Sequence, residues 1–199
     1  MDQAAISFNN TTSWTGAGPS NDRLETFPDL LGWSGANGLL DAPEVRALEE
    51  RAASDPWLAA TVLGQARELR SVLHQILAAL AGKREPGPLA LRTFNQALRS
   101  AAGQLALTWR EGRPSWGLDC GATLDTIVDR IAWAAAQFLT SPELARLGLC
   151  ANPECGWMFL DSTRNHSRRW CSMQDCGSRA KARRYYRRRK EKSDGESGA

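Results

Sequence analysis

Four of the five cysteines fall within 27 residues, as Cys150, Cys155, Cys171 and Cys176. Four residues separate the members of each pair, and fifteen separate the pairs. Thiolates spaced in this way suit one tetrahedral Zn2+ held by four sulfurs, a closed structural set that leaves no open position for a catalytic water. Each pair needs a tight turn to aim both sulfurs at one centre. Asn152, Pro153 and Gly156 supply turn chemistry around the first pair, and the second brackets Ser172-Met-Gln-Asp175, which reads as a helix start. Between the pairs, Trp157-Met-Phe-Leu160 is strand-like and Asp161-Ser-Thr-Arg-Asn165 is turn-like. A segment of about 40 residues rarely buries enough apolar surface to fold alone. Metal binding, worth roughly 10–16 kcal/mol in small zinc modules, supplies that deficit, with Trp157, Phe159 and Trp170 as the small core. The alternatives are four unrelated buried cysteines or a redox pair; the paired spacing and the turn residues argue against both. His166 reads as an exposed residue of a basic loop. Four thiolates on Zn2+ leave net negative charge, which Arg168, Arg169 and Arg179 would offset. Cys120 stands apart at the end of an apolar strand and reads as a small buried hydrophobe.

The second chemical signal is charge. Residues 1–149 carry 13 basic and 16 acidic side chains, whereas residues 150–199 carry 12 basic and 6 acidic. Between Arg164 and Lys190 there are 11 basic residues and one acid, Asp175: Arg164, Arg168, Arg169, Arg179, Lys181, Arg183, Arg184, Arg187, Arg188, Arg189 and Lys190. Cys176 to Lys190 has good helix formers apart from Gly177 and the tyrosines. On that helix Arg179, Arg183, Arg187 and Lys190 share one face, with Arg184 and Arg188 in a second row. Phosphate is the natural counter-charge, since cationic side chains displace condensed counterions. An arginine on a helix can also read guanine in a major groove. DNA is the preferred polyanion; composition does not separate it from RNA. The competing reading is a solvated charged terminus in an arginine-rich proteome, arginine outnumbering lysine 21 to 4.

These groups need elements to position them. A short strand is expected at Ile6–Phe8, followed by a polar loop to residue 28. Asp41-Ala-Pro-Glu44 opens a helix with an N-cap, a first-turn proline and a capping-box acid, ending near Ser54. Asp55-Pro56 opens the strongest helix, whose Leu58, Val62, Leu69, Leu73, Ile76, Leu77 and Leu80 recur mostly at three- and four-residue steps. Lys83-Arg-Glu-Pro-Gly-Pro88 breaks it, and Leu89–Ala102 makes a third helix. Leu105, Leu107 and Trp109, then Trp116, Leu118 and Cys120, alternate about Glu111-Gly-Arg-Pro114, a hairpin signal. Helical spacing returns over Thr123–Thr140, and Ser141-Pro-Glu143 starts a last short helix. Core packing is the expected use of Trp14, Trp33, Trp57, Trp109, Trp116 and Trp133, with a ligand pocket as the lesser alternative.

The 42% hydrophobic residues can build a core, and 24% charged residues mark a soluble chain. Arg67, Glu68, Arg70 and His74 interrupt the longest helix, so it cannot span a bilayer. The N-terminus shows neither a basic n-region nor an apolar h-region, and a cytoplasmic protein is the expectation. With only His74 and His166, no phosphate-binding glycine loop and no nucleophile motif, an enzyme is not expected. His74 reads as a core or boundary histidine.

Cys150, Cys155-Gly-Trp-Met-Phe-Leu-Asp161, Ser167-Arg-Arg-Trp-Cys-Ser-Met173 and Cys176-Gly-Ser-Arg179 together resemble the CGNR zinc finger, with Ser178 where the signature has asparagine. Serine there can still hydrogen-bond locally. Residues 1–149 resemble the ABATE domain through Phe8-Asn-Asn-Thr11, Asp29-Leu-Leu31, Trp33, Gly38-Leu-Leu40 and Ala66-Arg-Glu-Leu-Arg70. The resemblance implies a bacterial, stress-related transcription regulator with one structural zinc on Cys150, Cys155, Cys171 and Cys176. The expected architecture is mainly α with a small β-hairpin in a sensor or dimerisation domain (1–149). A small treble-clef-like four-cysteine zinc finger ending in a basic helix follows (150–190), and then a disordered tail (191–199). The expected partner is DNA, with a homodimer possible. The other readings are an RNA- or ribosome-associated zinc protein, a zinc-based protein-interaction module, and a redox switch in which thiol oxidation releases zinc.

Overall fold

The computed structural model describes residues 3–110, 112–119, 121 and 123–196, without the side chains of residues 110 and 188–196. In chain order its elements are α1 (Ala4–Asn9), the hairpin β1 (Ser13–Thr15) and β2 (Gly18–Ser20), α2 (Phe27–Ala36), α3 (Ala42–Ser54), α4 (Pro56–Ala81) and α5 (Pro88–Gly103). Then follow the hairpin β3 (Leu105–Arg110) and β4 (Arg113–Leu118), α6 (Thr126–Leu139), a 3-10 turn (Pro142–Arg146), and strands β5 (Leu147–Leu149) and β6 (Met158–Leu160). A π turn (Met173–Gly177) leads into α7 (Ser178–Glu196). Each sheet has two antiparallel strands.

The apolar stripe of α4 is the axis of the core. Val62, Ala66, Leu73, Ile76 and Leu77 are buried against Phe8 of α1, Leu30 and Leu31 of α2, Phe94 of α5, and Ile127, Ile131 and Phe138 of α6. The capping box at Asp41 and Glu44 forms as the sequence requires, Asp41 accepting from the Glu44 N–H at 2.8 Å and Glu44 from the Asp41 N–H at 2.8 Å. Inside the bundle Arg70 is 2% exposed. Its guanidinium donates to both carboxylate oxygens of Asp22, at 2.7 and 2.5 Å, and to Thr11 Oγ1 at 2.6 Å. Burial works against the Asp22 charge, but Arg70 outweighs it and holds the carboxyl below its ordinary range.

Several expectations are corrected. Residues 6–8 are helical, not extended: Ala4, Ala5, Phe8 and Asn9 bury one helical face, and three alternating residues cannot define a strand. The loop expected before residue 28 contains the hairpin β1–β2, and α2 was hidden by Gly32 and Gly35. Of the tryptophans expected to pack in the core, Trp57, Trp109 and Trp116 are 77%, 73% and 65% exposed. The last helix runs on through Glu196, beyond Lys190 where the sequence reading ended it. Cys120 lies outside the described residues. No helix among the described residues is long and apolar enough to cross a membrane.

Candidate metal centre and basic helix

Strand β5 delivers Cys150 and strand β6 leaves from just beyond Cys155, so the first pair sits on the turn of an antiparallel hairpin, with Leu149 opposite Met158. The Cys150 N–H donates to the Trp157 carbonyl at 2.9 Å and the Cys155 N–H to the Asn152 carbonyl at 3.0 Å, which shapes that turn. An Ala151 N–H bond to the Arg169 carbonyl, 2.9 Å, draws in the segment carrying Cys171. Ser172 accepts from the Asp175 N–H at 3.2 Å and starts the π turn that holds Cys176. A hairpin turn and a helix start thus face one another in a treble-clef-like arrangement.

The four sulfurs all lie within 4.8 Å of one another, with 3.5 Å between Cys155 and Cys171 and 3.7 Å between Cys171 and Cys176. Tetrahedral Zn–S bonds of about 2.3 Å place sulfurs about 3.8 Å apart. The set therefore fits one structural zinc. As free thiols these groups oppose one another: burial, with Cys150 beside it, pushes Cys155 up to about 11, and burial with hydrogen bonds from the other thiols raises Cys171 too. Burial also acts to raise Cys176, but the Asn152 amide and the neighbouring thiols outweigh it and hold it low. A bound dication reverses this conflict by stabilising all four thiolates.

Sequence reasoning missed the residue joining this centre to the helix. Asn152, 1% exposed, donates through Nδ2 to Cys176 Sγ at 3.4 Å and accepts through Oδ1 from Arg183 at 2.9 Å. Arg183 also lies 3.8 Å from Glu154. Arg183 thereby ties α7 to the finger while its side chain stays half-exposed. Arg168 is committed as well: its guanidinium donates to the carbonyls of Trp170 (2.9 Å), Leu160 (3.2 Å) and Cys171, and covers the Phe159 ring at 4.6 Å. Arg169 lies over Trp170 at 5.6 Å. Arg164, Arg179, Lys181, Arg184, Arg187, Tyr185 and Tyr186 are exposed; the side chains of Arg188, Arg189 and Lys190 lie outside the described set. Ser178, at the variant signature position, bonds to the Met173 carbonyl at 3.2 Å.

The finger is bonded to the N-terminal helical region. Asn10 donates to the Met158 carbonyl and accepts from the Met158 N–H, both at 2.9 Å. The Trp14 N–H reaches the Cys155 carbonyl at 2.8 Å, and Trp157 Nε1 reaches the Thr12 carbonyl at 2.9 Å. Gly156, at φ +62°, lets Trp14 approach so closely that a Cβ there would lie 2.4 Å from Trp14 Cβ. Behind Trp14, the His74 ring stacks at 4.0 Å and its Nδ1 lies 3.0 Å from Asn9 Oδ1. The stretch Asn9–Trp14 is thus a clasp. Its signal in the sequence was a polar Asn-Asn-Thr-Thr run flanked by aromatics, which named no partner.

Residues 2–142 match the ABATE family, described as a putative stress-induced transcription regulator, and residues 146–189 match the CGNR zinc finger. No curated protein matches the chain.

Proposed function

The chain belongs to the ABATE family, and on that footing we propose that it is a cytoplasmic transcription regulator that binds duplex DNA through α7. The observation that carries this reading is the run of exposed cations that α7 presents while Arg183 ties it to the finger. Arg183 is held to the finger by its bond to Asn152, while Lys181, Arg184 and Arg188 occupy positions on other faces. Lys181 and Arg184 are exposed, and neither forms an ion pair with a carboxylate among the described residues. Such cations bind phosphates by counterion release, a sequence-independent term, and a helix carrying them matches the width of a major groove. In this reading the zinc sets the helix axis, Asn152 and Arg183 hold it, and the free cations meet the phosphates. Residues 1–149 serve as the sensing or dimerising portion and 150–190 as the binding portion.

The test is anisotropy of zinc-quantified protein on duplex DNA and on hairpin RNA across a salt series, beside a Lys181→Ala/Arg184→Ala/Arg188→Ala variant. Salt-dependent DNA binding is expected, with the slope of log K against log salt falling by about 2–3 in the variant. Preference for RNA would replace the DNA reading, and no binding to either at low salt would overturn both.

A further inference from the structure

The hairpin β3–β4 is amphipathic the wrong way round. Leu107 pairs directly with Trp116, and Trp109 with Pro114, so these four side chains share one face. Leu107, Trp109 and Trp116 on that face are 67%, 73% and 65% exposed. The opposite face carries Ala106, Thr108, Ser115 and Gly117, small or polar residues that are half-buried. A strand pair that shields its small side chains and offers its large apolar ones to water has the register of an interface, since the period of two would allow the reverse with a shift of one residue. Among the described residues the strands pair only with each other, and a two-stranded ribbon is marginal in water by itself.

We propose that this face docks against the same face of a second copy of the chain, hairpin on hairpin about a two-fold axis passing near the Leu107–Trp116 pair. Two observations, the charge and the area of the face, favour a second copy as the occupant. Leu107, Trp109, Pro114 and Trp116 bring no charge to the face, so it selects no partner by charge; Arg110 and Arg113 form the last pair of the ladder. With the two-fold axis lying in the contact plane and running across the strands, the two tips point in opposite directions, so the Arg110–Arg113 end of one copy does not meet that of the other. The area is also sufficient. Two tryptophans and a leucine at these exposures offer on the order of 400 Å² per copy. The pair of faces thus approaches the roughly 1,000 Å² that a specific interface needs before strand backbone and flanks are added. Isologous contact of one self-complementary patch is the commonest way two identical chains associate. This inference deepens the dimerising role proposed for residues 1–149, and it uses none of the residues proposed to contact DNA, so sedimentation and DNA binding test the two separately.

The experiment is sedimentation of the full, zinc-loaded chain over a range of concentrations, beside Trp116→Glu, Trp109→Glu and, as a control with an equally exposed tryptophan on α4, Trp57→Glu. Far-UV circular dichroism and zinc content establish that each variant is folded. The wild-type chain and Trp57→Glu are expected to sediment as dimers of the 21.8 kDa chain. Each hairpin variant should weaken the dimer by about tenfold or more, because the two-fold brings both new carboxylates into one apolar contact. Tryptophan emission that shifts red on dilution of the wild type, and not of Trp116→Glu, would place the ring at the contact. A wild-type chain that is monomeric at every concentration overturns the proposal, as does a dimer that survives both hairpin substitutions.

Discussion

His74 shows how a single side chain can tie stability to pH. Burial against Trp14 and α1 depresses its pKa from 6.5 to about 4, and Asn9 Oδ1 is placed to accept from a protonated Nδ1 of the neutral ring. Between those two values the unfolded chain binds a proton that the folded chain refuses, so the contribution is complete above about pH 6.5 and is lost as pH falls toward 4. Allowing for the partial access of the ring to water, it amounts to on the order of 2 kcal/mol. Urea unfolding at pH 7 and pH 5 should give a smaller difference for His74→Gln than for the wild type. Zinc release weakens both proteins in acid, and the comparison between them removes it. Gly156 matters at the same scale for the side chain it lacks. Gly156→Ala meets both a left-handed φ and the Trp14 backbone, and is expected to cost on the order of 3 kcal/mol. Its signature is near-UV dichroism: the bands of Trp14 and Trp157 should change while zinc stoichiometry stays at one. An unchanged spectrum and unfolding midpoint would refute the close packing.

Among the elements, α7 depends most on something outside itself. Its own sequence is a run of like charges, and Asn152 fixes its base by bonding Cys176 and Arg183 at once. Asn152→Ala should leave four zinc ligands in place yet weaken the metal by about 10–100-fold, the usual loss when a ligand's hydrogen-bond partner is removed. Competition with a chromophoric chelator measures this; an unchanged zinc affinity would mean that Asn152 only fills space. The element scale also shows where sequence was legible. Caps with a proline in the first turn announced α3 and α4, and long three-and-four periodicity announced α4 and α6, because local chemistry decides both. Thr26 and Asp29 carry the same capping grammar for α2, but two glycines masked the periodicity behind it. The four cysteines were legible because zinc restricts residue type and spacing together. The roles of Asn10, Trp14, Asn152 and Arg168 were not, since each acts on a partner distant in sequence or through backbone carbonyls that no pattern of side chains reveals. The hairpin was found correctly, but alternation says nothing of which face meets water.

At the scale of the whole molecule the question is whether the finger is an appendage or part of the core. The geometry favours the second. Met158, 1% exposed, belongs to the main hydrophobic cluster, where Leu147 and Leu160 pack beside it. Four hydrogen bonds join the clasp at residues 10–14 to Met158, Cys155 and Trp157, and Asp161 N–H bonds to the Arg146 carbonyl at 2.8 Å. Losing the metal therefore does more than unravel a tail. It frees the hairpin whose buried side closes the bundle around α1 and α4. Zinc binding of roughly 10–16 kcal/mol is comparable to the entire stability of a domain of this size, so a large share of that energy is shared with the helices. Calorimetry of the loaded protein should show one cooperative transition. Chelation should lower its midpoint by about 10 °C or more, at 2–4 °C for each kcal/mol lost. The loss should appear equally in tryptophan emission and in helical dichroism. Two transitions, with the helical one unmoved by chelator, would instead make the finger an independent module joined to the bundle only through the chain.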